Sequence, residues 1–249
     1  MAVNTIKVRV LDIDFDNVTM DEALDIGEKL MDEPGFKYVV TPNPEICYLA
    51  RKDEGVRKAV QGASLTIPDG IGVIYGAKIL GTPLKGKVPG ADFAEKLMAR
   101  MANSGKTAYF LGAKPGVAEK AAEKLAEKCP GLTVVGCHDG YFKYDGEVIA
   151  DINEKAPDLL LVCLGAPKQE KWMSEHSGVL NARLAIGLGG SLDVYAGTVE
   201  RAPEVWQKLN LEWLYRVGPD PKRWGRALRL PAFIFQVIGE KLSGKAHSN

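Results

Sequence analysis

The chain has 249 residues, 46% hydrophobic and 26% charged, an ordinary globular composition that argues against a disordered, collagenous or membrane-embedded protein. Thirty-two basic side chains balance thirty-two acidic ones, so net charge supplies no general attraction to nucleic acid. The distribution is uneven: residues 213–249 hold seven Lys or Arg against two Asp or Glu, a net of +5, which leaves residues 1–212 at −5.

In chain order, apolar strand-like runs are expected at Ile6–Leu11, Lys37–Thr41, Ser64–Ile67, Thr107–Leu111, Leu132–Val135, Asp158–Leu164 and Arg183–Ile186. Helical periodicity is expected between most of them, at Met20–Met31, Pro44–Ala50, Ala91–Ala102, Val117–Lys128, Glu147–Glu154 and Gln169–His176. This alternation predicts an α/β fold, a mostly parallel sheet covered by helices with right-handed crossovers. After about Thr198 the strands stop, and Arg201–Tyr215 and Pro221–Lys241 read as helices, with a bend at Gly218-Pro219-Asp220-Pro221. The expected organisation is a core over residues 1–198 and a short, basic, helical appendage over 199–249. Because every predicted strand precedes Val199, the core is expected to fold without the appendage.

Cys47, Cys129, Cys137 and Cys163 are scattered, which predicts neither a zinc site nor a disulfide framework and fits a reduced, cytosolic setting. Charged and polar residues at Asn4, Lys7, Arg9, Asp12 and Asp14 interrupt any signal-peptide core, so export is not expected. The apolar run Leu230–Ile238 is nine residues long, whereas a membrane-crossing helix needs about 20. It is long enough to lie on a membrane, not to span one.

Ligands of such sheets sit beyond the carboxyl ends of the strands. Asp69 stands there in Pro68-Asp69-Gly70, where a helix begins. A helix N-cap is the ordinary role for such a residue, and a general base for an attacking hydroxyl is the chemical one. Thr41 and Asn43 end the preceding strand, in a Pro-Asn-Pro segment that also suits a helix-starting turn. Gly112-Ala113-Lys114-Pro115-Gly116 followed by a helix, with Asp139 on the next strand end, offers a partial dinucleotide fingerprint and hence a nucleotide-dependent oxidoreductase as an alternative. Gly187-Leu188-Gly189-Gly190 is similarly incomplete. Asp12-Ile13-Asp14-Phe15-Asp16 resembles a metal-binding Asp-x-Asp but reads as an exposed strand-to-helix turn, with Thr19 and Glu22 forming a capping box beyond it. His138, His176 and His247 lack metal-ligand spacing. In the appendage, Arg216, Lys222, Arg223, Arg226 and Arg229 interleave with Trp213, Tyr215 and Trp224. That mixture suits a membrane surface or a diphosphate, with nucleic acid as a further alternative.

Together, Thr41-Pro42-Asn43-Pro44-Glu45, Pro68-Asp69-Gly70, Gly165-Ala166-Pro167-Lys168-Gln169-Glu170, Gly187 to Asp193 with Gly197, Arg201-Ala202-Pro203 and Leu211 to Arg216 resemble the WecG/TagA/CpsF glycosyltransferase family over nearly the whole chain. The resemblance implies a Rossmann-like core with a carboxyl-terminal appendage. It implies transfer of N-acetylmannosamine, or a related N-acetylhexosamine, from a UDP-sugar to polyprenyl-diphosphate-linked N-acetylglucosamine, with inversion and without a metal or other cofactor. The enzyme would be a cytoplasmic protein, peripheral on the inner face of the plasma membrane, serving teichoic-acid-type surface glycans. Nucleic acid is not an implied partner, and a homo-oligomer is left open. By the same resemblance Asp69 would be the base, with Thr41 and Asn43 beside it, Gln169 on the donor diphosphate and Asp193 on the uridine. Arg216, Arg223 and Arg226 would close over the site and meet the lipid diphosphate. One departure from the family pattern is Lys87-Val88-Pro89-Gly90, where an Arg and a Val-Thr-Gly are usual. Lys87 there provides a point charge in place of a two-pronged donor.

Overall fold

The computed structural model of the chain describes residues 5–203, 205–206 and 229–243. Its first element pair is an antiparallel hairpin, β1 (Lys7–Val10) and β2 (Ile13–Asp16), followed by α1 (Met20–Asp32). The remaining elements are β3 (Lys37–Val40), α2 (Pro44–Ala50), α3 (Glu54–Gln61), β4 (Leu65–Thr66), α4 (Ile71–Leu80), α5 (Gly90–Met101), β5 (Thr107–Gly112) and α6 (Val117–Lys128), then β6 (Thr133–His138), α7 (Gly146–Lys155), β7 (Leu159–Cys163), α8 (Lys168–Glu175), β8 (Leu184–Gly187), α9 (Ser191–Tyr195) and α10 (Arg229–Leu242).

β3 to β8 form one parallel sheet of six strands in the order β4-β3-β8-β7-β5-β6. Every residue of β7 and β8 is buried, as expected of central strands covered on both faces. The pleat sends alternate side chains to opposite layers. Val39, Phe110 and Leu161 join α1, α5, α6 and α9 in one core. Val40, Leu111 and Leu160 join α2, α3, α4, α7, α8, α10 and the hairpin in the other. The fold is therefore the expected α/β class, with Rossmann-like layering and a carboxyl-terminal helix.

Local signals explain several boundaries. Thr19 accepts the Glu22 N–H at 3.3 Å while Glu22 accepts the Thr19 N–H at 2.8 Å, the capping box expected for α1. Asn43 caps α2 through its Oδ1 at 3.1 Å from Ile46 N, with Pro44 in the first turn. The N-cap role considered for Asp69 is not observed. Gly70 caps α4, at φ +88° and ψ 144°, without a side-chain bond. Only glycine tolerates that backbone region.

Two expectations need correction. The segment Asp12–Asp16 is not an exposed turn: residues 13–16 are β2, and Asp16 is fully buried, accepting the Thr66 N–H at 2.7 Å and pairing with Lys7 at 2.7 Å. Burial of that charge is tolerable because both contacts are charge-assisted. The helix expected from Arg201 is not formed at residues 201–203, whereas Val205 and Trp206 are helical, and residues 207–228, with the bend at 218–221, lie outside the described residues. The next expected helix is seen from Arg229 onward as α10. This helix is docked against α2 and α4, and Phe233 and Val237 are wholly buried in the second core.

Candidate active site

A cleft of about 1350 Å³ opens at the carboxyl ends of the strands. It lies where the strand order departs from chain order: β3 leads outward to β4, β5 leads outward to β6, and β7 and β8 fill the space between. That topological switch point is where ligands of open parallel sheets bind. Thr41, Asn43, Asp69, Lys87, Gln169 and Asp193 all line this one cleft. Arg216, Arg223 and Arg226 lie outside the described residues.

Hydrogen bonds between the strand ends hold the wall in place. The Thr41 hydroxyl donates to the Gly187 carbonyl at 3.0 Å, joining the ends of β3 and β8. The Asp69 N–H donates to the Pro42 carbonyl at 3.2 Å, and the Val88 N–H donates to the Pro68 carbonyl at 2.8 Å. The second bond lays the Lys87 segment along the end of β4, on the same side as Asp69. Asp69 and Lys87 are both half-buried, which leaves each accessible to a ligand. Asn43 spends its side-chain oxygen on the α2 cap, so its amide group is the part left to face a substrate.

Gln169 is 3% exposed and mostly committed to the protein. Its Oε1 accepts the Gly189 N–H at 2.8 Å and its Nε2 donates to Glu170 Oε1 at 2.9 Å. Asp193 sits in the first turn of α9, where its carbonyl accepts the N–H groups of Thr198 and Val199 at 3.0 and 3.1 Å. Three cleft residues stand in the motifs without an assigned role. Glu45 is paired with Arg229 of α10, Arg201 pairs with Asp92 at 2.7 Å, and Glu170 is buried at the floor. Glu45, Arg201 and Glu170 all fall inside the resembling motifs, so the only signal for them in the sequence is their adjacency to the chosen residues.

Other candidates fall elsewhere. Asp139 is not part of the cleft wall, and its Oδ1 accepts the Tyr141 N–H at 2.7 Å. Ala113 and Lys114 do reach the cleft, so the glycine-rich loop contributes to the wall without the acid that a dinucleotide ribose needs. His138 contacts the Asp139 carbonyl at 2.8 Å and His176 contacts Asp145 at 2.7 Å. Asp12 pairs with Arg51 at 3.4 Å, and Asp14 lies opposite Arg9 in the hairpin. Among the described residues no group of three or more His, Cys, Asp or Glu side chains is arranged to hold a metal ion. All four cysteines are free, and burial pushes the Cys163 thiol up to about 12, so it is no ready nucleophile. No helix among the described residues is long and apolar enough to cross a membrane.

A parallel α/β sheet with a deep switch-point cleft, a carboxylate at its edge and cationic groups around it defines a group-transfer type of site. Comparison with known sequences makes the class specific. The chain belongs to the glycosyl transferase WecG/TagA/CpsF family, whose sequence profile matches residues 8–247. It is 34% identical over 218 residues to an N-acetylglucosaminyldiphosphoundecaprenol N-acetyl-beta-D-mannosaminyltransferase of Bacillus spizizenii, covering 87% of this chain and 85% of that protein. A Staphylococcus aureus enzyme with the same name is 33% identical over 241 residues, covering 96% of this chain and 94% of its own.

Proposed function

We propose that this glycosyltransferase moves N-acetylmannosamine from UDP to N-acetylglucosamine carried on a polyprenyl diphosphate, in surface-glycan synthesis of the teichoic acid type. The observation that carries the reading is the convergence of Thr41, Asn43, Asp69, Lys87, Gln169 and Asp193 on one cleft, in a chain alignable almost end to end with enzymes named for N-acetylmannosaminyl transfer to N-acetylglucosaminyldiphosphoundecaprenol. The volume exceeds the roughly 300–1,000 Å³ of a small-molecule pocket, which suits a nucleotide-sugar and an acceptor headgroup held together.

In this mechanism Asp69 takes the proton of the acceptor hydroxyl as its oxygen attacks the anomeric carbon. The bond from that carbon to the diphosphate breaks, and UDP departs with the electron pair, inverting the centre. Lys87 and the appendage arginines Arg216, Arg223 and Arg226 supply the positive charge that the leaving diphosphate requires, without a metal. Thr41 and Asn43 orient the reacting sugar, and Asp193 holds the uridine. A polyprenyl acceptor stays in the bilayer, so the enzyme works from the cytoplasmic membrane surface. The exposed Phe235, Ile238 and Leu242 of α10 support that attachment.

The test is Asp69→Asn, assayed with UDP-N-acetylmannosamine and a short-chain lipid-diphosphate acceptor. Turnover should fall by about 100-fold or more, the scale of a lost general base, with UDP binding retained. Undiminished transfer removes Asp69 from the role.

A further inference from the structure

Glu170 is a buried residue of the cleft that this mechanism leaves unused. It is 2% exposed, and its Oε2 is one of two buried side-chain oxygen or nitrogen atoms among the described residues without a hydrogen-bond partner. Its other oxygen accepts from Gln169 Nε2 at 2.9 Å. Gln169 in turn accepts the Gly189 N–H at 2.8 Å, and Gly187, two residues earlier, accepts the Thr41 hydroxyl at 3.0 Å. One chain of bonds therefore runs from a buried carboxyl, through an amide, to the β8 turn that Thr41 also grips.

We propose that Glu170 is a positioning residue, a carboxyl buried in the cleft floor, where its neutral form is favoured, that fixes the Gln169 amide and thereby the Gly187–Gly190 turn against Thr41. Donor recognition at that turn rests on the functional reading above, whereas the bond chain itself does not. An amide can present either oxygen or nitrogen to a neighbour. Gly189 offers a donor, so Gln169 must turn its oxygen that way, and only an acceptor behind its nitrogen holds it there. Glu170 is that acceptor.

The surroundings oppose a charge on Glu170. Burial raises its carboxyl to about 7, the Gln169 bond opposes the shift, and the Glu45 carboxylate adds to it. Glu45, facing it from α2, is paired with Arg229 of α10. On the α3 side Asp53 is occupied by Lys171 at 2.7 Å, and β8 carries no charged side chain. Among the described residues no cation meets Glu170, so an ionised form would leave an unpaired buried charge in the cleft floor. Neutrality also separates it from Asp69: a wholly buried Oε2 is out of reach of an acceptor hydroxyl.

The experiment compares the wild type with Glu170→Gln and Glu170→Leu. Gln keeps a neutral acceptor for Gln169, and Leu removes it at similar volume. Amide hydrogen exchange at Gly189 should accelerate at least tenfold in Leu and stay near wild type in Gln. The donor KM should rise at least tenfold in Leu, with a smaller change in kcat, and Gln should restore most of it. Equal Gly189 protection in all three proteins overturns the proposal, as does equal impairment of Leu and Gln. If the Leu variant does not fold, the pH dependence of unfolding decides. The wild type should lose thermal stability relative to Gln between about pH 5 and 8, because the unfolded carboxyl ionises first. Parallel curves overturn the neutral acid. Failure of every protein to bind UDP would count against the donor reading while leaving the exchange and unfolding results to judge Glu170.

Discussion

Replacing Phe233 by Ala tests whether α10 belongs to the folded core or merely hangs from it. Phe233 is fully buried, with its ring against Gly76 of α4, where a Cβ added to the glycine would lie 2.9 Å from Cζ of the ring. The close approach of α10 to α4 thus depends on glycine at position 76. Truncating a buried Phe to Ala costs about 3–5 kcal/mol, the transfer of the ring plus the cavity left behind. Whole domains are stable by about 5–15 kcal/mol, so the change is a large fraction of the total. Phe235, two positions on and 75% exposed, is the internal control, expected to shift stability by no more than about 0.5 kcal/mol. Urea denaturation followed by circular dichroism reads both from the midpoint at constant slope. Equal, small losses at 233 and 235 would refute the docking argument. The same packing sets the cost that a chain cut after Thr198, expected from strand positions to fold, would have to bear. Such a cut uncovers the partners of Phe233 and Val237, about 1.5–3 kcal/mol for each side chain, and removes the Arg51–Glu240 pair at 2.8 Å.

Two further outcomes are expected. Asp145 is raised by burial but held below the usual carboxylate range by hydrogen bonds from Trp172 Nε1 at 3.0 Å and His176 at 2.7 Å. A lowered carboxyl stabilises the fold above its unfolded value and loses that contribution as pH falls through the folded one. Asp145→Asn should therefore flatten the acid limb of melting temperature against pH below about 4, and an unchanged limb refutes the linkage. Arg216→Glu, Arg223→Glu and Arg226→Glu, each assayed on a detergent-soluble acceptor with EDTA present, should slow transfer by the loss of a charged hydrogen bond worth about 1.5–3 kcal/mol. Normal rates for all three would confine these arginines to membrane anchoring, and a collapse of the wild type reversed by manganese would overturn the metal-free mechanism.

The sheet was legible because its strands carry their signal locally. β7 and β8 are continuous apolar runs, and the boundaries of α2 and α6 coincide with Asn43-Pro44 and with Gly116 and Cys129. β2 was less legible, although Ile13 and Phe15 alternate with aspartates in a strand pattern. Three acids in five residues favour a solvated turn, and Asp16 is buried only because Lys7 and the Thr66 N–H come to it from other elements. α9 is only five residues long, too short for periodicity to show. For the site, the motifs selected residues that do meet, but nothing local could show that Gln169 also holds the Gly189 N–H. That depends on β8 passing beside α8, a contact between residues 20 positions apart.

Strand order explains how distant parts of the chain meet at the cleft. Thr41 and Gly187 are 146 positions apart, yet β3 and β8 are paired neighbours, so the hydroxyl-to-carbonyl bond extends that pairing to the switch point. Two of the carboxyl groups that line the cleft sit in different settings. Asp69 is half-buried at the rim, where it can exchange its proton with a substrate and with water. Glu170 is sealed in the floor, where charge is penalised and a proton cannot readily leave. A transferase that must deprotonate an alcohol beside a departing anion benefits from this division. In the proposed mechanism the base, Asp69, stays near solvent, while burial penalises charge on Glu170, so that catalytic need and electrostatic cost do not fall on the same residue.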